Sequence, residues 1–142
     1  MPNWVIEGVL ATSPRPGYRA GPEFRVPRGE VEAWARETHD FGVRSVIVLI
    51  SDDQLPLYHP AVPEGLLGFY RAFGFHVAHV PTFDGLTVPF SEEQYLAAWD
   101  AFQALPKPVL VHCSAGMDRT GRIVRHIVGM LQADTGAEAA GG

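Results

Sequence analysis

The feature that most constrains the fold is a short apolar run that leads, through a tight loop, into an amphipathic segment near the C-terminus. Residues 108–111 read Pro-Val-Leu-Val, a β-branched run bounded by prolines, which predicts a buried strand. Residues 120–132 carry apolar side chains at helical spacing, which predicts a helix. The loop between them therefore lies at a helix N-terminus.

This loop, residues 112–121, reads His-Cys-Ser-Ala-Gly-Met-Asp-Arg-Thr-Gly. Its small, turn-compatible residues allow consecutive backbone N–H groups to surround an anion, and the helix macrodipole also favours negative charge there. Cys113 is the only cysteine and stands six positions before Arg119. A thiol at a helix N-terminus beside a cation loses its proton more easily, so we expect Cys113 to be a thiolate at neutral pH. Arg119 has a planar guanidinium that can hold two phosphoryl oxygens at once.

The sequence His-Cys, five residues, Arg-Thr-Gly resembles the signature loop of the cysteine-dependent protein tyrosine phosphatases, in particular their small dual-specificity branch. The resemblance implies a phosphomonoester hydrolase that acts on phosphotyrosine proteins, and also on phosphoserine or phosphothreonine proteins, through a phosphocysteine intermediate. Cys113 would be the nucleophile and Arg119 the residue that holds the phosphoryl group. The alternative is a buried structural thiol and an ordinary helix-start arginine, which leaves the anion-attracting loop without an anion.

The other loop residues have expected roles as well. Two flanking residues support the loop: His112 would orient it from behind, and the Thr120 hydroxyl would donate to the Cys113 sulfur. The expected phosphate-binding residues are Ser114, Ala115, Gly116, Met117, Asp118 and Arg119.

Two carboxylates are candidates for the general acid that protonates the leaving group. Family members use an aspartate on an upstream loop, which here corresponds to Asp84. Residues 75–81 alternate like a strand, and residues 82–85 are typical of a loop at its end. Asp-Gly is also a frequent turn pair, so a plain turn residue is the alternative. Asp118, inside the loop, is the second candidate, although we favour a carboxylate that tunes substrate preference or pairs with a nearby base.

The whole chain alternates strands and helices without a long linker or a repeat. We predict strands over 4–12, 44–50, 75–81 and 108–111, helices over 30–41, 64–73, 91–105 and 120–132, and a Pro/Gly-rich loop over 13–29. The run 44–50 is nearly all apolar, as in strands buried on both faces. This pattern predicts an α/β fold, a central mostly parallel sheet flanked by helices, and the resemblance implies the phosphatase-type, dual-specificity-like sandwich over a single catalytic domain, residues 1–142. The chain after Gln132 is expected to be frayed or curtailed.

The composition indicates in which cellular compartment the protein is expected to work. The chain has 142 residues, 46% of them hydrophobic, which is enough for a core without disulfides or metal. A single cysteine excludes an intramolecular disulfide, and a reactive thiolate needs reducing surroundings, so we expect the cytoplasm. The first 20 residues lack a basic start followed by a long apolar stretch, and no segment approaches a membrane helix, so we expect no membrane insertion.

Charge and histidine placement limit the partners. The net charge of −5 disfavours nucleic acid as a partner, although Arg119, Arg122 and Arg125 near the last helix start can still form a local positive pocket. The expected partner is a phosphorylated protein or a small phosphomonoester, and the oligomeric state stays open. We expect no cofactor or metal, because His76 and His79 face opposite sides of a strand and no cysteine or carboxylate cluster joins them.

Other functions share parts of this pattern. A phosphoinositide or other small-molecule phosphatase is an alternative, but the variable loop positions carry no lysine to meet extra phosphates. A phosphate-binding pseudophosphatase would keep the loop without turnover. A rhodanese-type sulfur-transfer enzyme also ends a strand with a reactive cysteine, but its loop has one residue fewer before the arginine. Tyr18, Phe24 and Tyr58 are candidate walls of the site, with ordinary packing as the alternative.

Overall fold

The computed structural model describes residues 2–19, 24–82, 90–114 and 118–141, with side chains to residue 134 in the last range. In these ranges strands and helices alternate along the chain. The strands are β1 (Asn3–Ile6), β2 (Leu10–Thr12), β3 (Ser45–Val48), β4 (His76–His79) and β5 (Val109–His112). The helices are α1 (Arg28–Asp40), α2 (Gly65–Phe73), α3 (Glu92–Ala104) and α4 (Asp118–Gly141), and a short 3₁₀ helix spans Leu55–Leu57.

The strands form one sheet in the order β1-β2-β5-β3-β4. β1 is antiparallel to β2, whereas the pairs β2–β5, β5–β3 and β3–β4 are parallel. β5 therefore lies at the centre, and its Leu110 is opposite Ala11 on one side and Val46 on the other. The prediction of an α/β fold with a mostly parallel central sheet is confirmed.

Apolar clusters on both faces of the sheet give the molecule three layers. Successive strand residues point to opposite faces, so β3 and β5 contribute to both clusters. Val46, Val48 and Leu110 belong to the cluster under α1 and α2, and Ile47, Val109 and Val111 to the cluster under α3 and α4. Every residue of β3 and β5 is buried. A shift of β5 by one residue would move each side chain to the wrong face, so packing fixes where Cys113 emerges.

The prediction of one strand over residues 4–12 is wrong, because the chain reverses direction there. Gly8 has φ 74°, a left-handed conformation that glycine adopts without steric cost. The Val9 N–H donates to the Ile6 carbonyl at 2.9 Å and closes the turn. The segment is therefore an antiparallel hairpin, and only its second strand, β2, joins the parallel part of the sheet.

The expectation of a frayed tail after Gln132 is also wrong, since the backbone of α4 is helical to Gly141. Residues 133–140 include four alanines, and alanine has the highest helix propensity. These alanines favour continuation of the helix that the apolar pattern starts.

The carboxyl ends of the four parallel strands lie along one edge of the sheet. The segments that leave this edge are residues 13–17 after β2, 49–54 after β3, 80–82 after β4 and 113–114 after β5. Open α/β sheets bind their ligands at this edge. The topology thus places the predicted loop beside three other chain segments.

Helix α3 begins with a capping box formed by Ser91 and Gln94. The Ser91 hydroxyl accepts a hydrogen bond from the Gln94 backbone N–H at 3.2 Å, and the Gln94 side-chain oxygen accepts one from the Ser91 N–H at 2.8 Å. These two contacts satisfy amide donors that the helix itself leaves unpaired.

Replacing Ser91 by alanine should lower the free energy of unfolding by about 1 kcal/mol, because one cap acceptor is lost. Asp100→Ala is the matched control, since Asp100 is exposed on the same helix. Urea unfolding of both variants measures the difference. Equal losses in the two variants would contradict the assigned cap.

Candidate functional site

Cys113 follows the last residue of β5 and is 2% exposed. It packs in the cluster between the sheet and helices α3 and α4, and its thiol is free of disulfide bonding. Ser114 continues from it along the carboxyl edge. Ala115, Gly116 and Met117, which we predicted to bind phosphate, lie outside the described residues, and so does Asp84.

Arg119, in the first turn of α4, is only 1% exposed. Its Nη1 donates to the Thr82 carbonyl at 3.1 Å, and its Nη2 donates to the Gln54 side-chain oxygen at 3.1 Å. These acceptors come from the segments after β4 and β3. The guanidinium is thus oriented from two neighbouring strand ends at once, by neutral oxygens.

The segment after β4 is itself tied to the end of β3. The Thr82 hydroxyl donates to the Leu49 carbonyl at 2.8 Å, and the Thr82 N–H points to the same oxygen at 3.2 Å. This double contact fixes the Thr82 carbonyl that accepts from Arg119. It also fixes the point from which the predicted acid loop departs.

His112 lies beneath the loop in an aromatic cluster and is fully buried. Its Nδ1 is 3.1 Å from the Cys113 carbonyl and its Nε2 is 2.9 Å from the Tyr70 hydroxyl, with the Trp34 ring edge-on at 5.4 Å. Burial, above all, lowers the pKa of His112 from 6.5 to about 4, so the ring is neutral at pH 7. A carbonyl only accepts, so Nδ1–H donates to Cys113 and Nε2 accepts from Tyr70.

Thr120 is fully buried, and its hydroxyl has no hydrogen-bond partner in the part of the chain that the structure describes. Cys113 belongs to that part, so the predicted hydrogen bond from Thr120 to the sulfur is not formed here. A buried hydroxyl without a partner is energetically unfavourable, which makes this group available to a ligand or to the sulfur.

Asp118 forms an ion pair with Arg122, one helical turn further along α4, at 3.2 Å. An acidic residue in the first turn also interacts favourably with the helix macrodipole. The Arg122 guanidinium lies 5.2 Å from the centre of the Phe90 ring, whereas Arg125 is exposed. Asp118 thus has the nearby base that we favoured for it.

Two residues near the loop, Arg15 and Gln54, were not predicted from the sequence. Arg15 follows β2, is 3% exposed and contacts Ser114. The sequence did contain an indication that Arg15 lies near the site, because Arg15 comes shortly after a strand that we predicted. Gln54 carries no such signal, because its contact with Arg119 depends on how the 3₁₀ segment folds.

The aromatic wall candidates have different surroundings. Tyr58 is fully buried, and Phe24 lies under the Arg19 guanidinium at 5.4 Å. Tyr18 is 36% exposed, with the Arg15 guanidinium 5.8 Å from its ring centre. Tyr58 and Phe24 therefore have ordinary packing roles. Tyr18, by contrast, has the exposed ring beside the loop.

A cavity of about 290 Å³ opens next to the segments that hold Arg119. Its described lining consists of Ser51, Asp52, Asp53, Pro81 and Thr82. Asp52 and Asp53 are exposed, so they give this side of the site a negative rim.

Within the described ranges, no three His, Cys, Asp or Glu side chains are placed to hold a metal ion together. Among the helices of these same ranges, none has both the length and the apolar character needed to cross a bilayer.

The buried neutral His112 should make stability depend on pH. Its pKa is lower in the folded state than in the unfolded chain, so the unfolded chain binds the proton first as pH falls. The free energy of unfolding should therefore decrease between pH 6.5 and about 4, on the order of 3 kcal/mol from this residue. Urea unfolding across this range should show a weaker decrease for His112→Asn.

His59→Asn is the matched control, because His59 is exposed. It should retain the wild-type pH dependence. An unchanged pH dependence in His112→Asn would show that protonation of His112 is not coupled to unfolding.

Comparisons with known proteins address the same part of the chain. A family model described as "Tyrosine phosphatase family" matches residues 77–137, which include the whole loop 112–121. A comparison with curated protein sequences gave no match.

Solved phosphatase structures share the fold. A kinase associated phosphatase superimposes with a TM-score of 0.65 at 18% identity, covering 86% of this chain and 65% of that one. The active form of Tk-PTP gives 0.52 at 28% identity, with coverages of 83% and 65%. The core catalytic domain of the PP-IP phosphatase SIW14 from S. cerevisiae, in complex with citrate, gives 0.53 at 20% identity, with coverages of 87% and 62%.

The present chain therefore spans less than two thirds of the length of these three structures. At 18% and 20% identity, the similarities to the kinase associated phosphatase and to SIW14 show a shared fold only. The family match, by contrast, covers the strand, the loop and the helix that carry Cys113 and Arg119. Residues 77–137 of this chain thus match the tyrosine phosphatase family, and the fold is the one that these solved phosphatases share.

Proposed function

We propose that this chain is a phosphomonoester hydrolase that acts on phosphotyrosine proteins, and also on phosphoserine or phosphothreonine proteins, through a phosphocysteine intermediate. The observation that carries the proposal is the placement of Cys113 and Arg119. Cys113 directly follows the central strand, and a nearly fully buried Arg119, oriented by Thr82 and Gln54, closes the same loop. A nucleophile and a preoriented cation at one helix N-terminus suit attack on a phosphate dianion.

In the first step, the Cys113 thiolate attacks the phosphorus atom. The S–P bond forms while the bond between phosphorus and the ester oxygen breaks, and that oxygen takes a proton from Asp84. Arg119 and the backbone N–H groups of residues 114–119 stabilise the charge on the other phosphoryl oxygens. The loop contributes mainly by holding the reacting atoms in position.

In the second step, water attacks the phosphocysteine. The S–P bond breaks, Cys113 leaves as the thiolate, and inorganic phosphate is released. The carboxylate of Asp84 accepts the proton of the attacking water. The Thr120 hydroxyl, buried and without a partner among the described residues, donates to the departing sulfur.

His112 acts as a positioning residue in this scheme. Its Nδ1–H holds the Cys113 carbonyl, and Tyr70 fixes the other ring nitrogen. Because the ring is buried and neutral at pH 7, it orients the start of the loop without adding a charge. The backbone at Cys113 is thereby kept in one orientation.

The rim of the cavity favours a protein substrate over a polyphosphorylated small molecule. Asp52 and Asp53 line the cavity beside the segments that hold Arg119, and their carboxylates would repel additional phosphate groups. Phosphoinositide and other small-molecule substrates are therefore the disfavoured outcomes of a substrate screen.

We further propose that residues 1–142 form a single catalytic domain. This domain works in the reducing cytoplasm, because Cys113 must stay a free thiol.

Turnover is tested with p-nitrophenyl phosphate, phosphotyrosine and phosphothreonine peptides, and phosphoinositides. Cys113→Ser should lower kcat by at least about 10⁴-fold, because the nucleophile is lost. Arg119→Lys should lower kcat/KM by about 10²–10³-fold, because lysine lacks the forked donor geometry. The steady-state rates on the phosphotyrosine peptide measure both effects.

Arg36→Lys is the matched control, since Arg36 is exposed on α1 far along the chain from the loop. It should retain wild-type rates. Phosphate binding without turnover in the wild type would point instead to a pseudophosphatase. A preference of more than about tenfold for phosphoinositides would replace the protein substrate.

The two acid candidates are separated by Asp84→Asn and Asp118→Asn. Asp118 already pairs with Arg122, so its loss should change kcat only a few-fold. Asp84→Asn should lower kcat on a phosphotyrosine peptide by about 10²–10⁴-fold, because the leaving oxygen loses its proton donor. The loss should be smaller with p-nitrophenyl phosphate, whose leaving group needs less protonation. The reverse pattern between the two variants would assign the acid to Asp118.

A further inference from the structure

Arg15 is placed by a tight turn that follows β2. The Tyr18 N–H donates to the Arg15 carbonyl at 3.2 Å, with Pro16 and Gly17 in the middle of the turn. Gly17 has φ 72°, as a type II turn requires at this position. A Cβ atom on Gly17 would lie 2.5 Å from Val26, so both conformation and packing demand glycine. The turn therefore holds Arg15 at one place on the carboxyl edge.

Arg15 contacts Ser114 at two points. Its backbone N–H donates to the Ser114 carbonyl at 2.8 Å, and its side-chain Nε donates to the Ser114 hydroxyl at 3.1 Å. Ser114 directly follows Cys113. The segment after β2 thus fixes the first residue of the loop beyond the cysteine.

The other end of the Arg15 side chain is also anchored. Its Nη1 donates to the Tyr58 hydroxyl at 3.1 Å, and that hydroxyl donates to the Pro16 carbonyl at 2.7 Å. The Trp34 indole N–H donates to the Pro14 carbonyl at 3.0 Å, which ties the same segment to α1. The guanidinium therefore has a fixed orientation as well as a fixed position.

The positive charge of Arg15 has no carboxylate partner among the described residues. Its hydrogen-bond acceptors there, Ser114 and Tyr58, are neutral, and the Tyr18 and Tyr58 rings flank it at 5.8 and 5.9 Å. A cation that is 97% buried without a counter-ion is costly. An anion bound in the adjacent loop would compensate this charge.

The field of Arg15 reaches the base of the loop. Burial is the main cause of the lowered pKa of His112, and the charges of Arg15 and Arg119 both lower it further. Both guanidinium groups thus act electrostatically on the residue before Cys113.

We propose that Arg15 is a positioning residue for phosphate hydrolysis, which clamps Ser114 and adds a second buried positive charge beside the anion-binding loop. This inference rests on the proposed function of that loop. Arg15 acts through Ser114 and through its field, while Arg119 closes the opposite end of the loop. Losing Arg15 should therefore weaken both phosphate binding and the orientation of the loop.

The test compares Arg15→Met and Arg15→Lys with Arg19→Met. Arg19 is the matched control, because it lies four residues on, its side chain is 67% exposed, and it pairs with Glu30 instead of the loop. The first measurement is the rate of Cys113 alkylation by iodoacetamide and its protection by inorganic phosphate. The second is kcat and KM for p-nitrophenyl phosphate across pH, and urea unfolding reports stability for each variant.

In Arg15→Met, half-maximal protection of Cys113 from alkylation should require at least about tenfold more phosphate than in the wild type. The value of kcat/KM should fall by about 10- to 100-fold. Arg15→Lys keeps the charge without the forked contacts, so its phosphate protection should stay within a few-fold of wild type while kcat falls. Arg19→Met should match the wild type in every measurement. If Arg15→Met does not fold, the split between protection and kcat in Arg15→Lys carries the test.

A double-mutant cycle with Ser114→Ala tests the clamp itself. Because Nε donates to the Ser114 hydroxyl, the two substitutions should lower kcat less together than the product of their separate effects. Fully multiplicative effects would overturn the clamp. Unchanged phosphate protection and unchanged kcat in both Arg15 variants, with altered stability only, would overturn the inference while leaving the proposed function intact. Alkylation of wild type that phosphate does not slow would overturn both.

Discussion

The burial of Arg119 is the constraint on which the rest of the site depends. A guanidinium with 1% exposure is tolerated only if oxygens meet its N–H groups, because desolvating a cation is costly. Thr82 and Gln54 supply such oxygens from the ends of two neighbouring strands. The sheet must therefore bring these ends together before Arg119 can close the loop. Fold and site are coupled through this one side chain.

A second buried layer supports the loop from below. His112 bridges the Cys113 carbonyl and the Tyr70 hydroxyl, and it packs edge-on against Trp34. Trp34 also holds the segment that carries Arg15. The neutral histidine and the charged arginine thus share one aromatic support. Both sides of the loop start are positioned by groups that belong to the hydrophobic core or pack against it.

Local patterns sufficed to predict the elements that bury apolar side chains. The apolar run 108–111 was found because a strand buried on both faces has few polar positions. The hairpin at Gly8 was missed because a short antiparallel pair and one longer strand share the same alternation. Cys113 and Arg119 were found together since one loop holds both. Arg15 was missed although it follows a predicted strand, because its partner Ser114 is 99 positions away in the sequence.

The sequence by itself determined that a strand, a small-residue loop and a helix would present Cys113 and Arg119 at a helix N-terminus, because each of these preferences acts between near neighbours. Only the tertiary structure decided which groups hold them. Parallel pairing of β2, β5, β3 and β4 aligns four strand ends that are far apart in the chain. Arg15, Gln54 and Thr82 became neighbours of the loop through this alignment, since contacts between distant segments follow from sheet order and register.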